Sequence, residues 1–95
     1  MSTISFSEAV AIASQHLINL QNEASVELKL VKTQEEPFGW VFFYQSKEYV
    51  ENGNFSSMLA GNSPFLVDCK SGKIHSFGTA HPVEFYIKEY GLQYG

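Results

Sequence analysis

A single cysteine, Cys69, and three histidines, His16, His75 and His81, are the residues of this 95-residue chain best suited to nucleophilic or metal chemistry. Cys69 and His75 flank one predicted hairpin turn, Ser71-Gly72, and a thiol beside an imidazole is the nucleophile-and-base pairing of covalent hydrolysis. A two-residue loop, however, pairs Cys69 with Ile74 and Asp68 with His75, so the thiol and the imidazole point to opposite faces of the sheet. Asp68 opposite His75 lacks a serine or cysteine at a sharp turn and reads as a surface ion pair. His16 lies beside an apolar helical stripe and His81 precedes a proline at a helix start; neither has a partner at zinc spacing. Gly53, Gly61 and Gly72 occupy separate turns and form no phosphate-binding loop. Nine glutamates on so small a domain read as a solvated face, not as a glycosidase pair. The sequence therefore predicts no catalytic residues, no cofactor and no metal.

The charge balance points to a protein partner. Six Lys, no Arg, one Asp and nine Glu give a net charge of -4. Phosphate recognition relies on clustered basic residues and on Arg forks, whereas Lys29, Lys32, Lys47, Lys70, Lys73 and Lys88 are scattered. Nucleic acid is excluded as a natural partner, and a basic protein surface suits the acidic balance. One cysteine can form no internal disulfide, which fits a reducing compartment. The first residues show no charged leader with an apolar run, and no stretch approaches the ~20 apolar residues of a membrane span. The expectation is a soluble cytoplasmic protein.

These residues must be carried by one domain, 1–95, which by surface scaling buries roughly two thirds of its extended surface. Ser5-Phe6-Ser7-Glu8 has the form of a capping box, and Phe6, Val10, Ala13, Leu17 and Leu20 then recur at helical spacing to an end near Asn22. From Val26 the period becomes two through Leu28 and Leu30, as in a half-buried strand, before a turn at Glu35-Glu36-Pro37. Phe38 to Ser46 is rich in β-formers, with Trp40, Phe42 and Tyr44 on one face and Val41 and Phe43 on the other, as in a central strand. Lys47 to Pro64 has no sustained period and reads as a long irregular segment, of a kind more often functional than idle; a helical turn at 56–60 would shorten it. Phe65 to Cys69 and Lys73 to Phe77 read as an antiparallel pair about Ser71-Gly72. Thr79-Ala80-His81-Pro82 then offers a cap, Val83, Tyr86, Ile87 and Tyr90 resume helical spacing, and Gly91 reads as a stop. The fold class predicted is α+β: a four-stranded antiparallel sheet with an N-terminal and a C-terminal helix on one face, in the order α-β-β-β-β-α.

Several motifs occur together in order. Gly39-Trp40-Val41-Phe42-Phe43-Tyr44, Leu59-Ala60-Gly61-Asn62-Ser63-Pro64, Val67-Asp68 with Ser71-Gly72, Gly78-Thr79-Ala80 and Tyr86-Ile87-Lys88-Glu89-Tyr90 together resemble the immunity protein 35 family, which includes YrhB-like proteins. Cys69, where a polar residue is more usual, and His81 before the proline depart from that pattern. The resemblance implies a bacterial protein, encoded beside a polymorphic toxin, that binds and neutralises the toxin in the cytoplasm by stoichiometric occlusion. On that reading the partner-binding residues are Glu48, Tyr49, Glu51, Asn54 and Phe55, with tyrosine supplying anchor area and glutamate meeting cations on a cognate toxin with a basic contact surface. Tyr49 and Phe55 have an alternative use in closing the core. A competing reading, allowed by the YrhB branch of the resemblance, is a small chaperone-like protein that binds unfolded clients through a broad apolar patch. Pairing of copies through the strand from Val26 is discouraged by Lys29 and Lys32.

Overall fold

In the computed structural model, residues 3–53, 64–78 and 80–94 are described. They form α1 (Phe6–Ala24), β1 (Leu28–Glu36), β2 (Gly39–Ser46), α2 (Lys47–Asn52), β3 (Phe65–Asp68), β4 (Ile74–Ser76) and α3 (Val83–Tyr94). The four strands make one antiparallel sheet in the order β1-β2-β3-β4. This is the predicted α+β arrangement of a helix, four antiparallel strands and a C-terminal helix.

Helix α1 starts where the capping box requires. The Ser5 hydroxyl accepts from Glu8 N–H at 3.2 Å, and the Glu8 carboxylate accepts from Ser5 N–H at 3.1 Å. The helix runs to Ala24, two residues beyond the expected end, and stops at Ser25 in the left-handed region with φ 56°. Gln21 explains the extension: its backbone carbonyl accepts from Ser25 N–H and its side chain accepts from Leu28 N–H at 2.7 Å. The chain is thereby tied directly into β1.

The buried face of α1 consists of Ala9, Ala13 and Leu17, with Phe6 left 49% exposed at its end. Two alanines let the helix approach Phe42, Phe65 and Val67 closely, with Trp40 and Tyr44 packed around them. The alternation read from β2 is correct, since Val41 joins Leu66, Phe38, Phe77 and Tyr90 in a second cluster on the other face. The placement of both helices on one face is overturned by these two clusters: α1 covers the Phe42 face and α3 covers the Val41 face. The physical reason is that β2 and β3 are apolar on both sides, and cover on one side alone would leave Val41 and Leu66 in water.

Strand β1 continues through Glu36, past the turn expected at Glu35-Glu36-Pro37, and the tight turn falls at Pro37-Phe38. The register shifts by one residue between Leu30 and Lys32, so Val31 is the additional residue of a β-bulge. Gly39 then sits at φ 154°, where an added Cβ would lie 2.2 Å from the Val67 carbonyl oxygen. The β3–β4 loop also differs from the expectation. Val67 pairs with Ile74 and Leu66 with His75, and Asp68 N–H reaches Lys73 O, leaving a four-residue loop at 69–72. Helix α3 continues through Gly91 instead of stopping there, because the glycine leaves room for Phe38, whose ring would stand 3.0 Å from a Cβ. The cap expected at Thr79 and the helical turn at 56–60 lie outside the described residues.

Candidate functional site

Of the predicted partner-binding residues, Glu48, Tyr49 and Glu51 lie on α2, at a corner beside the start of β1. Ser46 is fully buried at the end of β2, and its hydroxyl accepts from Tyr49 N–H at 3.1 Å as an N-cap. Lys47 N–H donates to the Glu27 carbonyl at 2.9 Å, fastening the helix to the start of β1. Gly53, with φ 67°, ends the helix in the left-handed region and returns its N–H to Tyr49 O. A stretch that reads as irregular thus begins with a six-residue helix. Its signals were present as Ser46 ahead of Lys47-Glu48 and Gly53 behind, but six residues are too few for periodicity to register.

On this helix Glu48 is exposed in the first turn, where the helix dipole favours its charge. Glu51 faces β1 and pairs with Lys29 Nζ at 3.6 Å, while Lys47 pairs with Glu27 at 3.4 Å. Both pairs are solvated and contribute little to stability; the backbone bond from Lys47 N–H to Glu27 O is what fastens α2. Tyr49 is half-buried and lines a groove of ≈ 390 Å³ with Val31, Phe43, Tyr44, Val50 and Pro64. Val31 and Val50 are 49% and 38% exposed, and the bulge leaves Val31 on this surface. Burial raises the Tyr44 hydroxyl pKa above its ordinary value, so it is neutral at physiological pH. Asn54 and Phe55 lie outside the described residues.

The residues with the best claim to chemistry are dispersed. Cys69 lies in the β3–β4 loop, half-buried, with its N–H on Phe38 O at 2.9 Å and its carbonyl accepting from Ile4 N–H at 2.8 Å. His75 packs against Tyr90 and Phe77 with ring centroids 5.1 and 5.7 Å away. The expected Asp68–His75 pair is not formed, since the longer loop puts Asp68 opposite Lys73. His16 lies edge-on to Phe65 at 4.7 Å and His81 lies over Phe85 at 4.1 Å. Among the described residues no group of three or more His, Cys, Asp or Glu could hold a metal ion. Among those same residues no helix is long and apolar enough to cross a membrane.

The α2 corner thus presents carboxylates, a half-buried tyrosine and exposed valines side by side. The family model described as immunity protein 35 matches residues 7–90. The chain belongs to the immunity protein 35 family. The match takes in every element from the first turn of α1 to the middle of α3. The chain is also similar to the uncharacterized protein YrhB of Escherichia coli (strain K12), at 46% identity over 55 residues, or 58% of either chain. The alignment thus spans somewhat less than two thirds of that relative. No solved structure matches the chain.

Proposed function

We propose that this member of the immunity protein 35 family binds a cognate protein toxin stoichiometrically and neutralises it by occlusion. The observation that carries the reading is the family match over residues 7–90. The physical character of the molecule supports it. Occlusion needs a rigid surface and no chemistry of its own, and the α2 corner presents Glu48, Glu51 and Tyr49 on a braced frame. The net charge of -4 favours encounter with a toxin whose contact surface is basic. Val31 and Val50 supply apolar area beside Tyr49, the mixture of anchor and charged rim found in protein interfaces.

The test is co-expression with the adjacent open reading frame in a bacterial host. Growth rescue together with a one-to-one complex on size-exclusion chromatography is the expected result. A neighbour that remains toxic while this chain is soluble and abundant overturns the pairing. Suppression of aggregation of unrelated denatured proteins, without a dedicated partner, would favour the chaperone-like alternative.

A further inference from the structure

A second groove lies at the far end of the β1–β2 hairpin. It has a volume of ≈ 440 Å³ and is lined by Phe6, Thr33, Glu35 and Trp40, within the size range of small-ligand clefts, about 300–1,000 Å³. Its composition follows from the bulge at Val31. Before the bulge Leu28 and Leu30 face α1; the one-residue shift then turns Thr33 and Glu35 to that face in place of Lys32 and Gln34. Glu35 consequently stands directly across from Trp40, and Phe6 closes the other side with its ring 5.9 Å from the indole.

Three observations give the groove a cation-receiving character. The Glu35 side chain is exposed and makes no hydrogen bond or ion pair among the described residues. The two aromatic rings beside it are incompletely buried, Phe6 being 49% exposed. The chain contains no arginine of its own and carries a net charge of -4. A carboxylate beside an indole and a phenyl ring suits a guanidinium, which can stack on the aromatic faces while donating a fork of hydrogen bonds to the carboxylate.

We propose that the groove between Phe6, Trp40 and Glu35 receives an arginine side chain of the protein partner, an assignment that rests on the reading of this chain as an immunity protein. Val31 of the α2 corner and Glu35 of this groove lie on the same edge strand, about 13 Å apart along it. The α2 corner opens on the Phe43 side of the sheet and this groove on the Trp40 side, so a partner that engages both wraps the exposed edge of β1. The α2 corner then provides anchor and rim contacts at one end of β1, and the aromatic groove fixes a single cation at the other.

The chain's sole tryptophan is Trp40, so its emission reports on this site directly. The full chain is titrated with hexa-arginine peptide at low salt, and the peptide should quench or shift the emission saturably. Affinity should fall about fivefold or more in Glu35→Gln and in Phe6→Leu. It should be unchanged in Glu23→Gln, which removes the same charge about 25 Å away along α1. A silent Trp40, an equal loss in Glu35→Gln and Glu23→Gln, or equal binding of spermine overturns the assignment. Co-expression with the toxin separates this from the underlying reading. If wild type protects and both groove variants protect equally well, the groove assignment fails and the immunity reading stands. If wild type does not protect, the immunity reading fails, and with it the assignment of a toxin arginine to the groove.

Discussion

The Tyr90 hydroxyl donates a hydrogen bond to Oδ2 of Asp68, joining α3 to the end of β3 across the Val41 face of the sheet. The other carboxylate oxygen accepts from Lys70 N–H at 2.7 Å and from Ser71 N–H at 3.2 Å. One buried aspartate thus organises the four-residue loop and holds the C-terminal helix. Replacing Tyr90 with Phe keeps the ring against Phe38 and removes only the hydroxyl. The expected cost is about 1.5–3 kcal/mol, the range for a hydrogen bond to a charged group, read as a lower urea midpoint at unchanged m-value.

The same carboxyl makes stability depend on acid. Burial pushes the Asp68 pKa up, but the hydrogen bonds from Tyr90, Lys70 and Ser71 and the nearby Lys70 charge outweigh it and leave the pKa below its ordinary value. In the unfolded chain Asp68 takes up its proton near pH 4, before the folded form does, so stability rises with pH across that interval. The contribution is complete above the unfolded value and is lost as pH falls through the depressed folded one. Asp68→Asn should therefore be less stable at pH 7, with the difference from wild type shrinking between about pH 5 and pH 2 in denaturant titrations. A difference that stays constant over this range would contradict the linkage.

Gly39 has no room for a side chain. An added Cβ would lie 2.2 Å from the Val67 carbonyl oxygen, and the backbone at φ 154° is one that L-residues rarely adopt. Because the obstacle is the backbone of the central β3 strand, local adjustment cannot relieve it. Gly39→Ala should cost about 2–4 kcal/mol and lower the melting temperature, measured by circular dichroism.

How much of this was legible in the sequence depended on whether a residue's local pattern and its tertiary setting agreed. The capping box at Ser5 and Glu8 and the alternation of Trp40, Phe42 and Tyr44 are local signals, and both elements formed as read. Lys32 to Glu36 reads as polar because β1 is an edge strand with little to bury, so its length was missed. The two-sided cover of the sheet was implied by Val41 and Phe43, but no local rule links them to a helix forty residues later. Gly91 reads as a stop because a glycine at a helix end and one admitting a neighbouring ring look alike in sequence. At the candidate site, the residue types of Glu48, Tyr49 and Glu51 are legible in the sequence, but the six-residue helix that displays them is too short to show a period. The Phe6–Trp40–Glu35 groove was missed because a one-residue bulge creates it.

Ser46 connects the sheet to the α2 corner. Its hydroxyl caps the helix from a fully buried position, so Ser46→Ala removes the capping bond that the hydroxyl accepts from Tyr49 N–H. A loss of about 1 kcal/mol is expected, and up to 2 given the burial. The effect should be concentrated in α2, with hydrogen exchange at the Tyr49 and Gly53 amides accelerated more than exchange in β2. Uniform acceleration would mean that Ser46 stabilises the domain as a whole.

Glu48 offers the cleanest separation of binding from folding. It is exposed on α2, with neither an ion pair nor a side-chain hydrogen bond among the described residues, so Glu48→Lys should change stability by no more than about 0.5–1 kcal/mol, chiefly through the helix dipole. If the α2 corner meets a basic toxin surface, the reversal places like charges together. Association should then slow by about tenfold or more at low salt, with the gap narrowing as ionic strength rises, because a rim charge acts mainly on the encounter rate. Glu51→Lys is a less selective version, since it also breaks the pair with Lys29 and sets two cations side by side. Surface plasmon resonance at two salt concentrations reads the result. Unchanged association in Glu48→Lys would move the toxin contact away from α2, and a loss that ignores salt would mean that Glu48 acts by packing, not by charge.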